Sequence, residues 1–287
     1  MLRAKVGLVG TSVIAFFLQT LTAQTLQKAQ DLYKRTDYAG SLAAMDKGAS
    51  DAASYFLRGQ DYFMMGEFKK SVDALQKATS LDAKNSEYMD WLGRAYGKRA
   101  ETGSPLLAPS NASKARQAFE KSVQLNAKNT EALSDLFDYY LEAPGFLGGG
   151  YDKAAQVADQ LATVDPAEGY FSKAQLAQKA RQFDTAEQHL RQAVALAPHQ
   201  VGRWIDLAKF LAKEGHTQES DQVFAEAQKL APDAPKVWFA MADSYIHQKR
   251  NLPEAKTLLE KYVHANITVD DPPKQEAFQL LKETNGA

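Results

Sequence analysis

The sequence predicts an all-α fold, a right-handed solenoid of antiparallel helix pairs ending in a capping helix. Three observations carry this expectation. Pro166, Pro198 and Pro232 close successive helices at intervals near 34 residues. Twelve residues before each proline stands a small residue, Ala154, Ala186 or Ser220, followed on the same helical face by Ala158, Leu190 or Phe224 and then by Leu161, Ala193 or Ala227. Upstream of these helices lie others that open on a large residue: Trp204 with Leu207, Ala208 and Leu211, and Trp238 with Met241, Ala242 and Tyr245. Self-similarity at a fixed period is the signature of a repeat architecture.

The elements follow in chain order. Arg3 and Lys5 precede an apolar run from Val6 to Leu18, and "LTAQ" supplies small residues for cleavage after Ala23. This start reads as a secretory signal peptide, because a bilayer span needs about 20 apolar residues; an uncleaved membrane anchor is the alternative. The mature chain then begins near Gln24 and forms one repeat domain over 24–287. A shortened unit at 25–51 keeps Tyr38, Ser41 and Met45. Unit 52–85 carries Ser71, Leu75 and Ala78 before "SLDAKN", and unit 86–129 carries Leu92, Gly93 and Tyr96 in "WLGRAY", then Ala115, Phe119 and Ser122 before "QLNAKN". Units 130–166, 167–200, 201–234 and 235–268 complete the array. The segment 273–285 turns Ala277, Leu280 and Leu281 inward and its charges outward, as a solubilising cap requires. Pro272 and Pro273 suit the first turn of that cap helix.

These residues resemble the tetratricopeptide repeat family, whose unit pairs two antiparallel helices around a tryptophan, a Leu-Gly pair, a tyrosine, a small residue, an aromatic, a second small residue and a closing proline. The resemblance covers nearly the whole mature chain. It implies a stacked array in which no helix pair is stable alone, so that stability is a sum of unit and interface terms.

Two stretches break the period. "ETGSPLLAPSN" (101–111) adds about ten residues between the two helices of one unit, and "APGFLGGGYDKA" (143–154) adds about five at the same place in the next. Glycines before a helix start can cradle an anion with backbone N–H groups. Here no Gly-Lys-Ser or Gly-Lys-Thr follows Gly150 and no strand precedes it, so a nucleotide loop is excluded and a spacer is expected. In that reading Asp152 caps a helix starting at Lys153, and Phe146 and Leu147 pack the loop onto a helix pair. A Pro-Gly and glycine cluster before an Asp-Lys-Ala helix start resembles a loop in a subset of bacterial tetratricopeptide proteins, which implies a shared loop structure and no particular ligand.

The composition excludes several chemistries. Lysine and arginine number 34 against 35 aspartates and glutamates, for a formal charge of −1 with both signs interspersed, so no nucleic-acid stripe is present. The absence of cysteine removes disulfides, thiolate metal sites, a cysteine nucleophile and a lipid-anchored N-terminus. His189, His199, His216, His247 and His264 fall at no metal-binding interval, and His189 reads as a polar surface residue. No Gly-x-Ser-x-Gly elbow occurs. Asp270 and Asp271 precede a helix start and read as caps. The sequons at Asn111 and Asn266 bear only on a eukaryotic secretory route. No catalytic, metal or cofactor constellation is expected, and the chain reads as non-enzymatic.

Extending the register places a ligand groove on the first helix of each pair. It would be lined by Phe56, Gln60 and Phe63, by Asp90, Arg94 and Lys98, and by Ser134, Asp138 and Leu141. Phe171 with Gln175, Ile205 with Lys209, and Phe239 with Asp243 and Ile246 continue it. Aromatics as anchors and charges setting the register suit an extended peptide or a helix. The expected function is a protein-interaction scaffold of the bacterial cell envelope, periplasmic or secreted, with a protein or peptide partner and neither nucleic acid nor stable membrane insertion. A solenoid holding a small hydrophobic ligand in support of solute transport is the alternative.

Overall fold

The computed structural model describes residues 23–45 and 50–284, so the signal segment expected at its N-terminus lies outside the described residues except for Ala23. Its helices are α1 (23–34), α2 (Tyr38–Met45), α3 (Ala52–Met64), α4 (Phe68–Leu81), α5 (Ser86–Thr102), α6 (Ala108–Leu125), α7 (Thr130–Glu142), α8 (Tyr151–Val164), α9 (Pro166–Lys179), α10 (Phe183–Leu196), α11 (Val201–Lys213), α12 (Thr217–Leu230), α13 (Pro235–His247), α14 (Leu252–His264) and α15 (Lys274–Thr284). No strand occurs among the described residues, and within each compact unit consecutive helices pack as pairs that stack on their neighbours. The all-α solenoid class is therefore the one expected. The chain divides into two compact units, one reaching Leu125 and one starting at Asn126.

Short polar side chains start the first helices of several pairs. Asp51 accepts from Ser54 N, Asn85 from Tyr88 N, Asn129 from Ala132 N and Asp165 from Glu168 N, at 2.9 to 3.2 Å, which satisfies amides that lack a partner in the helix. Pro166 and Pro235 occupy the opening turn, where a missing N–H is harmless. Within five pairs the turn between helices passes through a left-handed residue: Thr36 (φ 61°), Gly66 (74°), Arg181 (58°), Gly215 (85°) and Lys249 (53°).

The small-large-small face is the packing surface between helices. Ala154, Ala158, Leu161, Ala186, Leu190, Ala193, Ser220, Phe224 and Ala227 are all buried, as are Ser71, Leu75, Ala78, Ala115, Phe119 and Ser122 in the first unit. Small residues matter because the backbones approach closely. A Cβ built on Gly59 would lie 2.4 Å from Leu75 Cγ, and one on Gly93 would lie 2.5 Å from Phe119 Cε1.

Several local expectations are corrected. The insertion at 101–111 is mostly helical: it lengthens α5 to 17 and α6 to 18 residues and leaves only 103–107 as connection. The glycine stretch folds as a 3-10 turn, Gly145–Leu147, and α8 begins at Tyr151, so Asp152 lies in its first turn and Gly150 occupies the cap position without a side-chain bond. Phe146 is 83% exposed and Leu147 half-buried, and the turn is held by hydrogen bonds to its backbone. Gly150 N donates to Tyr140 O at 2.8 Å, Tyr139 Oη to Leu147 O at 3.0 Å and Lys153 Nζ to Gly148 O at 2.8 Å. Asp271 does not cap its own helix: its carboxylate accepts from Lys236 N, in the first turn of α13, and from Thr268 N and Oγ1. Pro272 and Pro273 precede α15 rather than open it.

Candidate functional site

Within the second unit, α9, α11 and α13 stand in sequence and their exposed faces border a cavity of about 610 Å³. The period that builds the fold also brings these faces together, because residues one repeat apart occupy equivalent positions on neighbouring first helices. Phe171 and Gln178 enter from α9, Asp206, Lys209, Phe210 and Lys213 from α11, and Asp243, Ser244, His247 and Gln248 from α13 and its end, with Leu190 of α10 behind them. Of the sixteen residues singled out for a groove, Phe171, Lys209 and Asp243 line this cavity.

Its charges are organised in bonded sets. Arg203 lies over the Phe171 ring at 4.8 Å, pairs with Glu168 and reaches Asp206 at 3.3 Å. Glu168 in turn accepts from Ser134 Oγ at 2.9 Å. Lys209 Nζ stands 3.3 Å from Asp243, whose carboxylate also meets His247 Nδ1 at 3.1 Å. Burial in the groove wall pushes the Asp206 carboxyl up to about 6 against the pull of Arg203, with the Glu168 charge adding to the rise. Asp138 of α7 is exposed and lies outside the cavity lining; partial loss of water first, then the Asp135, Glu168 and Glu142 charges, raises its carboxyl to about 7. His189 is half-buried with its ring 5.6 Å from Tyr170, and burial followed by the Lys173 charge lowers its proton affinity.

In the first unit the singled-out residues gather around one the sequence reading used only as a repeat marker. Trp91 receives Phe56 at 6.2 Å and Phe63 at 5.5 Å, both edge-on, and the Arg94 guanidinium lies 5.0 Å over its ring. Phe56 also stacks on Tyr88 at 4.5 Å. Gln60 is half-buried on the same helix as Phe56 and Phe63. Lys98 instead pairs with Glu101 at 2.7 Å on the exposed surface. Four groove assignments fail outright, Leu141 at 9% and Ile246 at 8% exposure among them. Asp90 is 1% exposed and bound to Arg94 at 3.1 Å, and Phe239 is 8% exposed with its ring against Tyr262, because the first helix also packs on its own partner and only part of its circumference is free. Trp91, the first residue of "WLGRAY", stands three residues before Arg94 and so shares its helical face, but its meeting with Phe56 and Phe63 depends on how two helices are placed side by side.

Among the described residues no group of three or more histidines, aspartates or glutamates could hold a metal ion, and no helix is long and apolar enough to cross a membrane.

Comparison with known proteins bears on this geometry. A tetratricopeptide repeat model matches residues 52–85 and 167–200. A tetratricopeptide repeat protein from Parabacteroides merdae superimposes with a TM-score of 0.58 at 16% identity, covering 93% of this chain and 99% of that one. A thermophilic TPR protein of Thermus thermophilus does so with a TM-score of 0.55 at 15% identity, over 66% of this chain and 98% of its own. A curated relative, the tetratricopeptide repeat-containing protein trd-1 of Caenorhabditis elegans, is 29% identical over 101 residues, which is 35% of this chain and 13% of that protein's length. At such identities the solved structures speak for the fold alone. The chain thus carries tetratricopeptide repeats at 52–85 and 167–200, one in each compact unit, within a fold shared with tetratricopeptide repeat proteins.

Proposed function

We propose that this protein is a non-catalytic interaction scaffold that binds an extended or helical peptide segment of a partner protein, and that it works in the bacterial cell envelope after export and cleavage near Ala23. The observation that carries the binding reading is the open cavity between α9, α11 and α13, where Phe171 offers an aromatic contact beside the Lys209–Asp243 pair. A groove with an aromatic anchor and a few fixed charges suits a peptide, whose side chains need both contact area and register. The charged lining of Asp206, Lys209, Lys213 and Asp243 argues against a small hydrophobic ligand, since such a ligand would take water from these groups and offer no polar contact in return. The stretch from Arg3 to Ala23 supports export.

The experiment is photo-crosslinking in native cells with a reactive residue at position 171 or 209 and a control at exposed Gln222. Adducts with one protein from the groove positions and none from the control support the reading. Absence of adducts from both groove positions sinks it. Export is tested separately, by cell fractionation and determination of the mature N-terminus; a cytoplasmic chain starting at Met1 would exclude it.

A further inference from the structure

Away from the groove, the first unit holds a buried carboxyl that no described residue neutralises. Asp61 of α3 is completely buried; its Oδ2 accepts from Ser41 Oγ of α2 at 2.8 Å, and its Oδ1 has no hydrogen-bond partner. The groups facing it supply no positive charge. Asp37 and the Tyr38 phenol approach from the α2 side, and α4 offers Ser71, whose hydroxyl is already donated to Gly59 O. On its own helix Arg58 turns away to Met45 O at 2.7 Å and to the Tyr55 ring. Lys34 and Arg35, at the end of α1, are exposed. Among the described residues Asp61 makes no ion pair.

A carboxylate in such a site, with one hydroxyl donor and no cation, loses its hydration without replacement, whereas the neutral acid does not. The segment it faces has little else to hold it: α1 and α2 share with α3 a core of three buried residues, Ala29, Met45 and Leu57, edged by Leu26, Tyr33, Leu42 and Ala44. We infer that Asp61 is a proton-operated latch, which holds α1 and α2 on α3 when neutral and releases them when ionised, uncovering the α3 face that carries Ser54 and Leu57.

The direction follows from linkage. Burial raises the carboxyl from 3.8 to about 7, opposed by the Ser41 bond and assisted by the Asp37 charge. The folded state therefore holds the proton more tightly than the released one, and docking weakens as pH rises from about 4 to about 7, then changes no further. Export and peptide binding play no part in this inference.

Hydrogen exchange of the full chain at pH 5.5 and pH 8, corrected for intrinsic rates, tests it. Protection over residues 26–44 should fall by about tenfold or more between the two while that of α13 stays level. Asp61→Asn should keep the protection at both values, and Ser41→Ala, which removes the bond that favours the ionised form, should move the fall to higher pH. Equal protection at both pH values, or the same fall in Asp61→Asn, overturns the latch. Carbon-detected titration of the Asp61 carboxyl in the unsubstituted protein gives a second reading, and an ordinary carboxylate titration below pH 5 would also overturn it.

Discussion

Ser220 Oγ donates to the carbonyl oxygen of Ala208 at 2.8 Å, and four repeats earlier Ser71 Oγ makes the equivalent bond to Gly59 O at 2.7 Å. Both serines stand 12 residues after their acceptors, at the small position of the second helix, so the hydroxyl ties the two helices of a pair at their closest approach. Where the position is alanine, as at Ala186, the helices meet without the bond. Ser220→Ala should therefore cost about 1 kcal/mol, the net value of one such bond, read as a lower urea midpoint with unchanged slope. Ser220→Val should cost more, because it overfills a site with no free volume.

Gly93 makes a sharper demand on space. Its missing side chain is where the Phe119 ring lies, and Gly93→Ala should destabilise by about 1–3 kcal/mol. Phe119→Leu in the same chain should recover part of that loss, and a double-mutant cycle measures the coupling.

The glycine-rich turn separates two roles that look alike in sequence. Phe146 is exposed, so Phe146→Ala should leave stability within about 0.5 kcal/mol. Gly149 is different: a Cβ there would fall 1.8 Å from Ala143 O, a backbone atom that cannot swing aside. Gly149→Ala should cost about 1–3 kcal/mol, and thermal unfolding of the two variants distinguishes the positions.

Arg181 adopts φ 58° where Gly66 and Gly215 serve in the equivalent turns. A residue with a Cβ pays about 1 kcal/mol or more for this conformation, partly offset by the greater freedom of glycine in the unfolded chain. Arg181→Gly should raise stability by up to about 1 kcal/mol, provided the exposed guanidinium contributes nothing; an unchanged or lower urea midpoint would contradict this.

Asp206 should make stability fall with pH. Its carboxyl is raised from 3.8 to about 6 in the folded protein, so the fold holds the proton more tightly than the unfolded chain between those values, and stability from this group declines across that window and is level above it. Asp206→Asn, which keeps an oxygen acceptor for Arg203, should gain on the unsubstituted protein from pH 4 to pH 6 and hold a constant advantage from pH 7 upward. Urea midpoints at several pH values give the comparison.

Much of the fold was legible because the signal is periodic. Ala154, Ala158 and Leu161 or Ser220, Phe224 and Ala227 are separated by helical spacings that leave one face to bury, and each is buried. The groove was only partly legible. Phe171, Lys209 and Asp243 line the cavity, whereas Phe239 shares their register yet is turned into the core, because a few degrees of rotation about a helix axis decides whether a ring meets Tyr262 or solvent. Trp91, read as a repeat marker, organises Phe56, Phe63 and Arg94, a gathering that needs two helices at a known distance.

By itself the sequence determined the repeat period, the helical spacings within it and the small residues at each close approach. All of these depend on neighbours a few residues away or on a spacing that recurs. Tertiary structure decided that the two insertions become longer helices and a bonded 3-10 turn, that Asp271 caps α13 across 35 residues, and that Asp61 is sealed against Ser41 without a cation. Those outcomes depend on which groups from distant segments share one small volume, and local helix physics carries no information about that.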